Sequence, residues 1–208
     1  MKKLTLNGPI TMNCYIIDYN GKCFIVDPGY DDKSIKNYVD DNGLEVVGIL
    51  LTHGHPDHIG GIHCYDVPIY LHEKDEAMIL HRLKADHNSP RFEMTFDYSQ
   101  LNRLFVEDKT MIPFDDKEIR VIHTPGHSEG GVCYVFENEL FSGDTLFCQA
   151  VGRWDFATGD LASLKDSVVK LIDESPDTYK VHPGHGESTT IGSERRLNPY
   201  YNQWRKEQ

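Results

Sequence analysis

A short segment rich in metal-binding side chains directly follows an uninterrupted apolar run. Residues 46–51 read Val-Val-Gly-Ile-Leu-Leu, a pattern that predicts a strand covered on both faces. The next residues place four side chains of ligand type within six positions: His53, His55, Asp57 and His58. Neither chance nor a need for polar surface residues accounts well for four such side chains in so short a segment. The segment therefore predicts a fold that holds a metal-binding loop at the end of a buried strand.

Three further candidates occupy the same kind of position later in the chain. His127, Asp144 and His185 each follow a short apolar run and lie in a turn that contains glycine or proline. Such turns let polar side chains converge above the edge of a sheet. Five histidines and two aspartates are too many ligands for one tetrahedral ion, but they suit two ions that share a carboxylate. The residues therefore predict a dinuclear metal centre.

The rest of the chain indicates a mixed α/β protein. Segments typical of strands alternate with segments of helical spacing, an order that favours sheets covered by helices. The 208 residues fit one domain, 1–208. Residues 73–110 have the least clear pattern and suit an insertion or a lid. Their first part, 73–83, is compatible with a helix, whereas the alternation over 92–98 is typical of a half-buried strand or an irregular cover.

Charge and cysteine content exclude several classes of protein. The formal net charge of −12, without a stripe of Lys and Arg, argues against nucleic acid as a partner. An acidic chain is not attracted to anionic membranes, and no apolar run is long enough to cross one. The five cysteines have no CxxC spacing and no apolar leader is recognisable, so we expect a cytoplasmic protein. The oligomeric state is left open.

At the candidate ligands the sequence resembles the metallo-β-lactamase fold superfamily. The segment 52–61, Thr-His-Gly-His-Pro-Asp-His-Ile-Gly-Gly, is highly specific for it, and the similarity extends from the 26–29 turn to His185. The resemblance implies an αββα sandwich, in which two mixed sheets are flanked by helices. It implies the following ligand set: His53, His55 and His127 for one metal, Asp57, His58 and His185 for the other, and Asp144 as the bridge. Two divalent ions per chain are expected, zinc first, with iron or manganese as alternatives.

Within the superfamily the chain is most similar to the short glyoxalase II-like hydrolases, also described as hydroxyacylglutathione hydrolase-like. The stretches 142–147, 151–156 and 182–186 carry this similarity. The implied activity is hydrolysis of small thioesters or related acyl compounds by a hydroxide that bridges the metals, with Asp57 as the catalytic residue that orients it. Full-length glyoxalase II has an extra C-terminal helical domain that holds much of its glutathione site, and we expect this chain to lack it. The acyl group and the thiol carrier therefore stay open.

Other activities of the superfamily remain as alternatives. Persulfide dioxygenases share the histidine motif and a Gly-Arg-x-Asp-Phe stretch, present here at 152–156, but use a single iron, and lactonases keep all seven ligands. A non-catalytic metal-binding protein is a third class. True β-lactamases of this fold lack the bridging aspartate, so Asp144 argues against that activity. Arg153 is a candidate for binding a substrate carboxylate through its planar guanidinium, and an ion pair with Asp155 is the competing interpretation.

Overall fold

The computed structural model describes residues 1–30, 32–85 and 97–207. Two compact units divide the chain, Met1–Val106 and Glu107–Gln208, and each contains a six-stranded sheet. Both sheets mix parallel and antiparallel pairs and both units contain helices, which confirms the predicted α/β class. The part of segment 73–110 that spans 86–96 lies outside the described residues, so its interpretation as a lid or cover stays a prediction. Among the described residues no helix combines the length and the apolar character needed to cross a bilayer.

The first unit contains strands β1 to β6, which lie side by side in chain order. The strands are Lys2–Leu6 (β1), Met12–Tyr19 (β2), Lys22–Val26 (β3), Glu45–Leu50 (β4), Ile69–Leu71 (β5) and Arg103–Phe105 (β6). The helices are Asp32–Asp41 (α1), Pro56–Ile59 (α2) and Glu73–Ala85 (α3). Strands β1 to β3 are antiparallel, whereas β3 to β6 are parallel. The carboxyl ends of β3 and β4 therefore meet at one edge of the sheet.

Local sequence explains how this sheet begins. Asn20 and Gly21 join β2 to β3 with φ angles of +51° and +78°, the left-handed conformation that a two-residue hairpin turn requires. Gly43, at φ +59°, ends the α1 segment in the same region. Both features agree with the sequence pattern. Apolar side chains from the strands and α1, among them Ile25 and Ile49, are fully buried in one cluster that holds the unit together.

The second unit contains strands β7 to β14. Six of them form the main sheet and two form a small separate ribbon. The main sheet consists of Met111–Phe114 (β7), Lys117–His123 (β8), Val132–Phe136 (β9), Glu139–Gly143 (β10), Lys180–Pro183 (β13) and Thr189–Thr190 (β14). The ribbon pairs Leu146–Phe147 (β11) with Ala150–Val151 (β12), and the helices are Leu161–Glu174 (α4), Ile191–Leu197 (α5) and Pro199–Glu207 (α6). The order in the main sheet is β14-β13-β10-β9-β8-β7.

Strand direction brings three loops of this unit to one edge. Strand β10 is parallel to β13, and two successive antiparallel pairs relate β10 to β8 through β9. Strands β8, β10 and β13 consequently run in the same direction, and their carboxyl ends share an edge. Asp160 caps helix α4, since its carboxylate accepts a hydrogen bond of 2.7 Å from the backbone N–H of Ser163.

Candidate metal centre

In the first unit, the segment that follows β4 gathers four of the predicted ligands. The ring centroids of His53 and His55 lie 4.7 Å apart, and those of His53 and His58 lie 4.1 Å apart. Oδ2 of Asp57 lies 3.8 Å from Nε2 of His58. Pro56 begins α2, a position at which its fixed φ favours the helix, and the single turn that follows carries Asp57 and His58. The four side chains thus form one patch.

A buried carboxylate that the sequence pattern did not single out supports this patch. Asp27 accepts hydrogen bonds from the backbone N–H of Thr52 at 2.8 Å, from the Thr52 hydroxyl at 2.6 Å and from Nδ1 of His58 at 2.8 Å. It follows β3, and the pairing of β3 with β4 brings it beside Thr52. A signal existed, since an Asp-Pro-Gly turn directly after an apolar strand places a carboxylate at the sheet edge where the histidine loop begins.

These hydrogen bonds fix the tautomers of two histidines. A carboxylate can only accept, so Nδ1 of His58 holds the proton that it donates to Asp27. The hydroxyl of Thr52 donates to Asp27 as well, so its oxygen accepts from Nδ1 of His53 at 3.0 Å. In both rings Nε2 therefore keeps the lone pair with which an imidazole binds a metal.

In the second unit, the shared edge of β8, β10 and β13 gathers the other three predicted ligands. Oδ2 of Asp144 lies 3.5 Å from Nε2 of His127 and 3.4 Å from Nε2 of His185. The backbone N–H of Gly184 donates to the carbonyl of Gly143 at 2.8 Å, which holds the loops after β10 and β13 together. Nδ1 of His127 donates to the carbonyl of Arg153 at 2.7 Å, so here too Nε2 keeps its lone pair.

The separations of these nitrogen and oxygen atoms fit ligands of a common ion. A hydrogen bond of this type spans about 2.7–3.2 Å. Two ligands at about 2.0–2.1 Å from a tetrahedral zinc ion lie about 3.3–3.4 Å from each other. The pairs made by Asp144 with His127 and His185 measure 3.5 and 3.4 Å, and the pair of Asp57 with His58 measures 3.8 Å. The donor set and its spacing therefore suit divalent metal ions, although which residue binds which ion stays a prediction.

The loop after β12 forms a wall beside the ligands of the second unit. A Cβ atom at position 152 would lie 1.7 Å from the carbonyl oxygen of Asp144, so Gly152 is what lets the loop approach so closely. The next residue, Arg153, bonds both carboxylate oxygens of Asp155, from Nε and Nη2, at 2.9 Å each. The structure thus contains the ion pair that competed with a substrate-binding role for Arg153.

Replacing Asp27 with asparagine is expected to weaken metal binding by about 10- to 100-fold. The Thr52 N–H donates to Oδ1 of Asp27, whereas the Thr52 hydroxyl and His58 both donate to Oδ2. An amide offers a single accepting oxygen, so either the N–H or both of the other donors would face the NH₂ group, and the network that holds the His58 ring would be broken. Competition with a chromophoric chelator measures the affinity. The exposed Asp41 provides a matched control, Asp41→Asn, and equal affinities of the two variants would contradict the role of Asp27.

Comparison with known proteins agrees with this geometry. The family model described as Metallo-beta-lactamase superfamily matches residues 7–185. The probable metallo-hydrolase YqgX of Bacillus subtilis is 31% identical over 202 residues, which cover 94% of each chain. Hydroxyacylglutathione hydrolase GloC of Haemophilus influenzae is 29% identical over 205 residues, which cover 93% of this chain and 96% of the relative.

Two solved structures are also similar to this chain over nearly its full length. The di-iron-bound form of TTHA1623 has a TM-score of 0.82 and 32% identity, covering 96% of this chain and all (100%) of the other. The B3 metallo-beta-lactamase BLEG-1 has a TM-score of 0.83 and 33% identity, covering 96% and 98%. With the family model spanning both units, the chain belongs to the metallo-beta-lactamase superfamily.

Proposed function

We propose that this protein is a dinuclear metal-dependent hydrolase that cleaves small thioesters or related acyl compounds. The membership of the superfamily and the relatives named metallo-hydrolases support the general class, a metal-dependent hydrolase. The similarity to a hydroxyacylglutathione hydrolase supports the choice of thioesters. The di-iron form of TTHA1623 supports two ions, and it makes iron as well as zinc an expected metal.

One observation carries the proposal: in three of the five predicted histidine ligands, Nδ1 donates its proton to a fixed partner. His53 bonds Thr52, His58 bonds Asp27 and His127 bonds a backbone carbonyl. A histidine on the surface of a protein has no need of such support, whereas a metal ligand is ordinarily held in this way. We propose that these rings, with His55, His185 and the two carboxylates, surround a pair of ions.

The side chains suggest how the reaction proceeds. Divalent ions held by these residues would supply a hydroxide nucleophile at neutral pH and would polarise the carbonyl under attack. Asp57 accepts a hydrogen bond from the attacking group and orients it, and its carboxylate can take up the proton that is released. Asp27 and Thr52 keep the imidazole rings in one orientation throughout. The leaving thiolate needs little help from an acid, because thiols ionise at a pKa of about 8.5.

Metal analysis together with a panel of substrates tests the proposal. The panel contains S-lactoylglutathione, simple thioesters, lactones and a cephalosporin. We expect two ions per chain and turnover of thioesters. One iron per chain with oxygen uptake in the presence of glutathione persulfide would instead identify a sulfur dioxygenase, and turnover of lactones alone would identify a lactonase.

Removing the metals is expected to abolish hydrolysis while the fold persists. Large apolar clusters and sheet pairing, rather than the ligands, hold each unit together. Chelator-treated protein should therefore keep its circular dichroism spectrum but hydrolyse the thioester only at the rate of the buffer. Activity should return when zinc, iron(II) or manganese(II) is added back to two equivalents. Hydrolysis that survives complete removal of metal would contradict the proposal.

A further inference from the structure

The loop 152–156 places an exposed aromatic side chain, Phe156, directly beside a predicted metal ligand, His127. Its backbone is fixed there, because the carbonyl of Arg153 accepts the proton of His127 Nδ1 at 2.7 Å. The ring of Phe156 meets the ring of His127 edge to face, with centroids 5.7 Å apart and an angle of 85° between the planes. A molecule that reacts next to His127 would therefore lie within reach of this loop.

Phe156 presents an apolar surface at this place. Phe156 is 39% exposed, so part of its ring is open to solvent. A second aromatic ring, Phe147, lies edge-on to His185 with centroids 6.3 Å apart. Two of the predicted ligands thus have an aromatic neighbour within their own unit. Aromatic surface beside polar reacting groups is typical of pockets that bind the apolar part of a small molecule.

The charge beside Phe156 is already compensated. The guanidinium of Arg153 lies 4.4 Å from the centroid of the Phe156 ring, and both oxygens of Asp155 bond it. Hydrogen bonding to Asp155 raises the pKa of Arg153, and hydrogen bonding to Arg153 lowers the pKa of Asp155, so both groups stay ionised at neutral pH. A substrate carboxylate would have to displace Asp155 from two hydrogen bonds in order to reach the guanidinium.

We propose that Phe156 is a specificity-determining residue that contacts an uncharged, apolar acyl group of the substrate, and that the Arg153–Asp155 pair disfavours acyl groups bearing a carboxylate. The inference rests on the proposed function and defines its substrate class. That class consists of thioesters whose acyl group is aliphatic or aromatic and neutral.

A series of thioesters of N-acetylcysteamine tests the role of Phe156. The thiol stays constant while the acyl group changes from acetyl to butyryl to benzoyl. In metal-loaded protein, Phe156→Ala is expected to reduce the preference for benzoyl over acetyl, measured as the ratio of kcat/KM values, by about 10-fold or more. Phe156→Leu should retain part of the preference. The control Leu197→Ala, which removes an exposed apolar side chain at the end of α5, should leave the ratio unchanged.

Matched neutral and charged acyl groups test the ion pair. Wild-type protein is expected to prefer valeryl over succinyl thioesters. Asp155→Asn should raise kcat/KM for the succinyl compound by about 10-fold relative to the valeryl compound, because Arg153 becomes available to its carboxylate. The double variant Asp155→Asn with Arg153→Gln should lose this gain.

Failure of the specificity inference and failure of the proposed function would give different results. A Phe156→Ala variant with an unchanged benzoyl-to-acetyl ratio, or a wild type that prefers the succinyl compound, would overturn the inference while hydrolysis itself stands. A wild-type protein that binds two metals yet cleaves no thioester would overturn the proposed function and the inference together.

Discussion

Asp57→Ala is expected to lower kcat by about 100- to 10,000-fold, the range observed when a positioned proton-transfer group is removed. The carboxylate lies in the single turn of α2, 3.8 Å from Nε2 of His58, and its side chain is 10% exposed. Asp57 is the residue proposed to orient the nucleophile, so its removal should leave this task unfilled. The fold should persist, because the apolar clusters described for the two units are built from other side chains than Asp57. Steady-state kinetics on the best thioester of the panel measures the effect.

Two further measurements show whether Asp57 does more than bind metal. Turnover is recorded after the variant has been loaded to the same metal content as the wild type, and a persistent loss then assigns a role in the reaction itself. Asp66→Ala, an exposed aspartate of the same unit, is the matched control and should be indistinguishable from wild type. A fully loaded Asp57→Ala variant with near-normal turnover would contradict the assignment.

Asp144→Asn is expected to reduce the bound metal from two ions per chain to one or fewer. A single oxygen of Asp144 faces the Nε2 atoms of two histidines, so the substitution removes the negative charge shared by both ligands. Loss of supporting residues alone costs about 10- to 100-fold in metal affinity, and we expect a larger loss here. Plasma mass spectrometry of the purified variant gives the metal content, and hydrolysis should fall to the rate of the buffer.

The exposed Asp116 supplies the control for this charge removal. Asp116→Asn changes the net charge by the same amount within the same unit, and it should retain both ions. An Asp144→Asn variant that binds two ions with wild-type affinity would show that this carboxylate is not a bridge. Thermal unfolding of both variants without metal distinguishes a loss of ligand from a loss of fold.

The sequence pattern singled out the candidate ligands but not the groups that support them. The ligand segment after β4 was recognisable because four metal-binding side chains lie within six positions. The turn that contains Asp27 was visible in the sequence, but its supporting role was not, because Asp27 lies 25 residues before Thr52 and only the parallel pairing of β3 with β4 brings the two together. The contact of the Arg153 carbonyl with His127 could not be predicted for a different reason. Every residue has a backbone carbonyl, and only the fold determines which carbonyl contacts His127.

The fold shows the same division between local and long-range information. The hairpin at Asn20-Gly21 and the cap at Asp160 depend on a few adjacent residues, so the local sequence favours both. The short strands β6 and β7 depend on long-range information instead, because each has three or four residues and pairs with a single neighbour at the edge of its sheet. Such strands leave little periodicity in the sequence, so pairing rather than propensity decides them.

The contact between residue 153 and His127 is made by the main chain, and this has a consequence for how the protein could change. Any amino acid at 153 would offer the same carbonyl to the imidazole, so the arginine side chain can be exchanged without disturbing the ligand. In this short loop the backbone supports the predicted ligand, whereas the exposed side chains can vary. New acyl preferences could arise there through single substitutions, with the reactive centre left intact.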